Sequence, residues 1–191
     1  MNYSDYIKAG KSCKISPNFT AGEFSSEPLT EYQFGLISML AKNIQYIRDG
    51  LQKYAAPGKT VSVSISSGVR TQNDYNRICS NGNHPSKTSD HFCGYQTTPK
   101  PTLGAADCRF INSTISMKEI YKKIVDIVKS GKACFGQAIY EINPATGFEW
   151  IHLGNDPKCI FSAEIAQYVP RAKFLISLDN GKTYIPWNGQ F

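Results

Sequence analysis

No stretch of this chain approaches the roughly 18 consecutive apolar residues that a membrane-spanning helix requires. Its first residues, MNYSDYIKAGKSCK, lack the apolar core of a secretory signal. The protein is therefore expected to start in a cytoplasm and to reach any other compartment by another route. No Cys-x-x-Cys occurs among Cys13, Cys79, Cys93, Cys108, Cys134 and Cys159. Without a signal, such cysteines are expected to stay free thiols, and a disulfide framework is the minority reading. Nucleic-acid motifs, internal repeats and low-complexity tracts are missing as well. Histidine is scarce: His84, His91 and His152 are the whole supply.

What is present describes a folded domain. With 191 residues, 41% of them hydrophobic and 19% charged, the chain suits one globular domain with short extensions at most. Its net charge of +6 favours polyanionic partners, such as nucleic acid or an anionic bacterial wall. The Lys and Arg residues are dispersed, which equally fits an ordinary solvated surface.

Residues 1–29 show no clear period, apart from a turn and helical start at Asn18–Phe24. Thr30 and Gln33 form a capping-box pattern, followed by Phe34, Ile37, Leu40, Ala41, Ile44, Ile47, Leu51 and Tyr54 at helical spacing, with Pro57-Gly58 as the stop. Thr60 to Ser66 alternates as a half-buried strand, and Thr71 caps a short helix to about Cys79. Residues 80–106 read as one long loop. Ser116 and Glu119 box a second helix that ends before Gly131, and strands are expected over Gln137–Ile142 and Phe148–Leu153. A short helix over Ser162–Tyr168 and two strands about Asp179-Asn180-Gly181 complete the reading. Helices with mainly hairpin-connected strands point to an α+β domain.

Within that frame His91, Asp107 and His152 stand out. Two histidines and a carboxylate, with a fourth position left for water, are a ligand set of catalytic zinc. Each residue alone has a plainer explanation: a loop histidine, a turn or cap acid, a core histidine. Cys93 and Cys108, close by in sequence, make a cysteine-containing metal site conceivable. Arg70, at a strand-to-helix junction, suits either an oxyanion or substrate carboxylate or an ordinary surface ion pair. Two acids compete as general base. Glu149 is three residues before His152, and strict alternation puts it on the opposite strand face unless the strand starts at Trp150 or is bulged. Glu141 can reach the site from the neighbouring strand. His84 has no assigned role.

The ordered set SGVR, then Ser89-Asp90-His91 with Gly94, then Gly104-Ala105-Ala106-Asp107, then Glu149-Trp150-Ile151-His152 resembles the zinc D-alanyl-D-alanine carboxypeptidase family. That family includes vancomycin-resistance D,D-dipeptidases and phage L-alanyl-D-glutamate endopeptidases. The similarity extends over roughly residues 18–187, which leaves 1–17 as an N-terminal extension and 18–191 as the peptidase-like domain. The resemblance implies an α+β fold shared with the hedgehog signalling domain, a small antiparallel sheet with helices packed on it. It implies Zn²⁺ held by His91, Asp107 and His152, with Arg70 binding substrate or transition state. It implies Glu149 as base, although an acid often stands at the position of Glu141 in the phage-type branch. The reaction implied is hydrolysis of a peptide bond in peptidoglycan stem peptides, D,D-carboxypeptidase or L,D-endopeptidase in type, at the bacterial cell wall through a phage lysis system or virion. One departure is clear: fifteen residues separate His91 from Asp107 where the family usually leaves six, an apparent insertion over Tyr95–Leu103. The insertion also supports the alternative of a non-catalytic wall-binding or virion structural protein that keeps the fold.

Overall fold

The computed structural model describes residues 2–82, 85–86, 89–94, 96–97, 100–156 and 173–191. The expected helix at 162–168 and His84 lie outside them. Helix α1 (Tyr3–Ala9) opens the chain and precedes the strand pair β1 (Lys14–Ser16) and β2 (Phe19–Thr20). Then come α2 (Ala21–Phe24), α3 (Glu31–Gly50), β3 (Ser62–Ser67) and α4 (Gln72–Ser80). The hairpin β4 (Gln96–Thr97) and β5 (Lys100–Pro101) leads into β6 (Ala105–Ile111), α5 (Met117–Lys129), β7 (Gln137–Asn143), β8 (Phe148–Gly154), β9 (Lys173–Ser177) and β10 (Ile185–Pro186).

Local sequence sets the helix starts. Thr30, Thr71 and Ser116 each cap a helix, and Gln33, Asp74 and Glu119 each complete a capping box. The stripe of α3 buries Phe34, Ile37, Leu40, Ala41, Ile44 and Ile47 as its spacing requires. Leu51 caps the helix end and Tyr54 closes a 3-10 turn (Gln52–Tyr54), so the α-helix stops short of Pro57. Tyr6, Cys13 and Ile15, from the expected 1–17 extension, enter the same core as α3.

The main sheet has six strands in the order β10-β9-β7-β8-β6-β3. The chain is α+β as expected, but beside small antiparallel pairs its main sheet is mixed: β9 runs parallel to β7, and the other neighbours are antiparallel. The cause is topological. β8 runs antiparallel to β7 and stops opposite Gln137, and β9 starts opposite the same residue on the other edge, so it runs parallel to β7; there the Lys173 N–H donates to the Gly136 carbonyl (3.1 Å). The small all-antiparallel elements are the separate pairs β1-β2 and β4-β5.

Strand β6 was not legible as a strand. Its Ala106, Cys108 and Phe110 are buried while Arg109 and Ile111 are exposed. Alternation of this kind sorts the sheet into two faces. One face, with Ala106, Cys108, Ala138, Tyr140, Ile151 and Leu153, joins the core against α3 and α5. The other carries Asp107, Arg109, Glu141, Trp150 and His152. Among the described residues no helix is long and apolar enough to cross a membrane.

Candidate metal centre

Three chain segments converge on one point of that second face. Asp107 and His152 are direct cross-strand partners on β6 and β8. His91 arrives from the loop between α4 and β4. Its Nε2 lies 3.2 Å from His152 Nδ1 and 3.3 Å from Asp107 Oδ1, and His152 Nδ1 lies 3.0 Å from the same oxygen. Both histidines are buried, and the Asp107 side chain is only 15% exposed.

These atoms can hold a metal ion. His91 Nδ1 faces the Gly68 carbonyl at 2.7 Å, and a carbonyl only accepts, so that nitrogen carries the proton. In the neutral ring Nε2 then presents its lone pair to the other two atoms, an arrangement that orients a metal-binding histidine. Lone pairs of two imidazoles and a carboxylate crowded together repel unless a proton or cation lies among them. The three edges match the spacing of about 3.3 Å between ligands bonded at about 2.0–2.1 Å to a tetrahedral ion. Burial pushes the Asp107 carboxyl upward, but the charges and hydrogen bonds of His91 and His152 outweigh it and hold Asp107 well below the usual carboxylate range.

The insertion does not displace a ligand, and its stem explains why. The Gly94 N–H donates to the Thr102 carbonyl (2.8 Å), the Thr102 hydroxyl donates to the Phe92 carbonyl, and the Gly104 N–H donates to the Asp90 carbonyl (3.0 Å). Extra residues leave and return at one place, as a hairpin, with His91 and Asp107 on either side of its root. Buried Asn155 locks that root to α3 by donating to the Leu103 (2.8 Å) and Leu36 (2.9 Å) carbonyls.

Arg70 sits at the end of β3, where its N–H donates to the His91 carbonyl (2.8 Å). Its guanidinium is half-buried and has no hydrogen bond or ion pair among the described residues. Burial lowers its pKa, and the charges of Asp107 and Asp74 work against that shift. The preceding Gly68 is required by close approach: a Cβ there would collide with the Phe24 carbonyl.

The two candidate bases separate cleanly. β8 begins at Phe148 and pairs in unbroken register with β7, Glu149 opposite Ile142 and Trp150 opposite Glu141. With neither a late start nor a bulge, alternation places Glu149 on the core face, away from His152, where it accepts a hydrogen bond from the Tyr140 hydroxyl. Glu141 is on the metal face, diagonal to His152, and is only 6% exposed. Burial raises its pKa to about 7; the His152 charge opposes this, Asp107 adds to it, and hydrogen bonds from Trp150 and Tyr184 oppose it.

Tyr184 was not anticipated. Its hydroxyl lies 3.5 Å from Glu141 Oε2, and Gly181 (φ +76°) packs beneath both groups, where a Cβ would stand 3.0 and 3.1 Å from them. A turn built on Asp179 holds the tyrosine there. The Asp179 carboxylate accepts from the Ser177 hydroxyl (2.9 Å), Lys182 N–H (3.1 Å), Thr183 N–H (2.9 Å) and Thr183 hydroxyl (2.6 Å). The Asp179-Asn180-Gly181 turn signal was readable, but its position over Glu141 depends on the parallel β7–β9 pairing.

Among the described residues no cysteine belongs to the centre, and Cys159 lies outside them. Cys93 and Cys108 are buried on the core side, and burial, followed by the nearby Asp90 or Asp107 charge, pushes the Cys93 thiol up to about 12 and Cys108 well above its ordinary value. Cys13 and Cys79 are also free, whereas Cys134 is disulfide-bonded, a correction to the all-thiol expectation. No protein-family model, curated protein or solved structure matches the chain.

Proposed function

We propose that this protein is a zinc metallopeptidase acting on peptidoglycan stem peptides, in keeping with the family resemblance of its motifs. The observation that carries the reading is the ligand triangle with Glu141 on the same sheet face, its carboxyl poised near neutrality. His91 Nε2, His152 Nδ1 and Asp107 Oδ1 would hold the ion. A nitrogen-and-oxygen set of three suits zinc with a fourth position open to water. Zinc in such a site lowers the pKa of water to roughly 7 and polarises a carbonyl.

The rest of the chemistry belongs to the chain. Glu141 takes a proton from the attacking water and delivers it to the leaving amine as the C–N bond breaks. A general base works best when its pKa lies near the working pH, and burial tunes Glu141 in that direction. The Arg70 guanidinium is free to pair with a developing oxyanion or a substrate carboxylate. Tyr184 donates to Glu141 Oε2 and limits where its carboxylate can swing.

The test pairs elemental analysis for zinc with release of new amino groups from purified peptidoglycan. Zinc at one equivalent with amino-group release, lost in Glu141→Gln but not in Glu149→Gln, supports the reading. Clean wall substrate left intact by zinc-loaded protein overturns it.

A further inference from the structure

The metal-bearing sheet face continues toward the β7–β8 turn, and none of the chemistry above uses that part. Arg109 lies two residues beyond Asp107 on the same side of β6, about 7 Å along the strand. Its guanidinium stands over the Phe148 ring, 4.3 Å from the centroid, and has no hydrogen bond or ion pair among the described residues. Phe148 is 40% exposed, and its ring centre is 5.9 Å from that of Trp150. Together with Asp107, Ser66 and Asn143, these groups line a cleft of about 640 Å³. A second cleft, of about 250 Å³, shares Ser66 and Ser67 and contains Arg70. Asp107 of the ligand triangle lines the first cleft, and Ser67, its cross-strand partner on β3, lines both; each cleft holds one guanidinium unpaired among the described residues.

We propose that the cleft formed by Arg109, Phe148 and Trp150 is a substrate subsite that takes a carboxylate-bearing residue of an extended acidic peptide. A guanidinium packed against an aromatic ring still has N–H donors to offer a carboxylate. Phe148 holds Arg109 in place, so little side-chain freedom remains to be lost on binding. The neighbouring Trp150 and Phe148 rings offer an apolar floor for the substrate backbone, and Ser66 and Asn143 line its walls. A terminal residue or free dipeptide would leave one of the two clefts empty. A chain crossing the centre fills both, so the substrate is an internal bond of an acidic peptide. The bond cleavage in this inference rests on the peptidase reading; the binding does not.

The measurement is calorimetric binding to zinc-loaded Glu141→Gln protein. Its probes are a synthetic stem peptide whose D-glutamate keeps its α-carboxylate and the same peptide amidated there. The free acid is expected to bind about tenfold more tightly, the scale of one charge-assisted hydrogen-bonded pair. Adding Arg109→Met should bring both peptides to the affinity of the amide, with the melting temperature unchanged. Adding Arg109→Lys should leave a reduced preference, because charge remains without the fork, and it carries the test should the methionine variant not fold. Equal binding of the two peptides by the parent, or a preference that survives Arg109→Met or is undiminished in Arg109→Lys, overturns the proposal. An Arg109-dependent preference in a protein that cleaves no wall overturns the peptidase reading and leaves the subsite standing.

Discussion

Glu141 is an expensive residue to bury. Raising a carboxyl from 4.5 to about 7 corresponds to roughly 3 kcal/mol against the ionised form. Because the folded-state pKa lies above the unfolded one, the folded protein binds more protons between those values, and stability from this group is lost as pH rises through that window. Metal-free Glu141→Gln should therefore melt higher than the parent at pH 8 and no higher at pH 4; equal melting at pH 8 would refute the buried-charge account. Activity runs the other way, since the base must be ionised. A bound cation draws the carboxyl down, so kcat/KM should fall tenfold per pH unit below a limb at or under about 7. Glu141→Gln should cost about 10²–10⁴ in rate, and Glu149→Gln little. Tyr184→Phe removes a donor that favours the ionised form, so its acid limb should move to higher pH. A limb that stays put in Tyr184→Phe would show that the hydroxyl does not act on Glu141.

Between elements, the site depends on how segments meet. Gly68 lets the end of β3 press against Phe24 while its carbonyl orients His91. Gly68→Ala should move that carbonyl and weaken metal binding more than it lowers the melting temperature of the metal-free protein, as isothermal titration and thermal melts would show. Conversely, joining Gly94 to Thr102 by a short turn should leave metal affinity within a few-fold, because the stem hydrogen bonds lie at or below that point. Loss of binding in that deletion would mean that the hairpin itself shapes the centre. The same elements mark what was readable. α3 and α5 announced themselves through capping boxes and a 3.6-residue apolar period, and β7 and β8 through the turn signal between them. The two histidines and Asp107 were visible as residue types in order. β6 was not, because Ala105, Ala106 and Cys108 have modest strand propensity, and its pattern follows from burial between β8 and β3. The choice between Glu141 and Glu149 turned on a register that only the paired strands supply. Tyr184 and Arg109 became site residues only when the sheet order brought β9, β6 and β8 to one face.

At the scale of the whole molecule the sheet divides the labour. Its core face joins the helices into one apolar interior, and its other face gathers charges and lone pairs that an interior would exclude. The metal-free centre is therefore a local liability, with a carboxylate and two imidazoles held within 4.8 Å of one another. An ion that binds only the folded chain converts this cost into stabilisation. By mass action it contributes about 4 kcal/mol at a thousandfold excess over Kd, roughly 10 °C in melting temperature for a chain of this size. Chelation should thus lower the melting temperature by that order, and zinc should restore it. The difference should shrink on acidification, because a metal binds its ligands only in their deprotonated forms. His152→Ala removes the cross-strand ligand while β8 keeps its pairing, so it should melt alike with and without chelator. A parent protein whose melting ignores chelator would leave His91, Asp107 and His152 as a hydrogen-bonded cluster and nothing more.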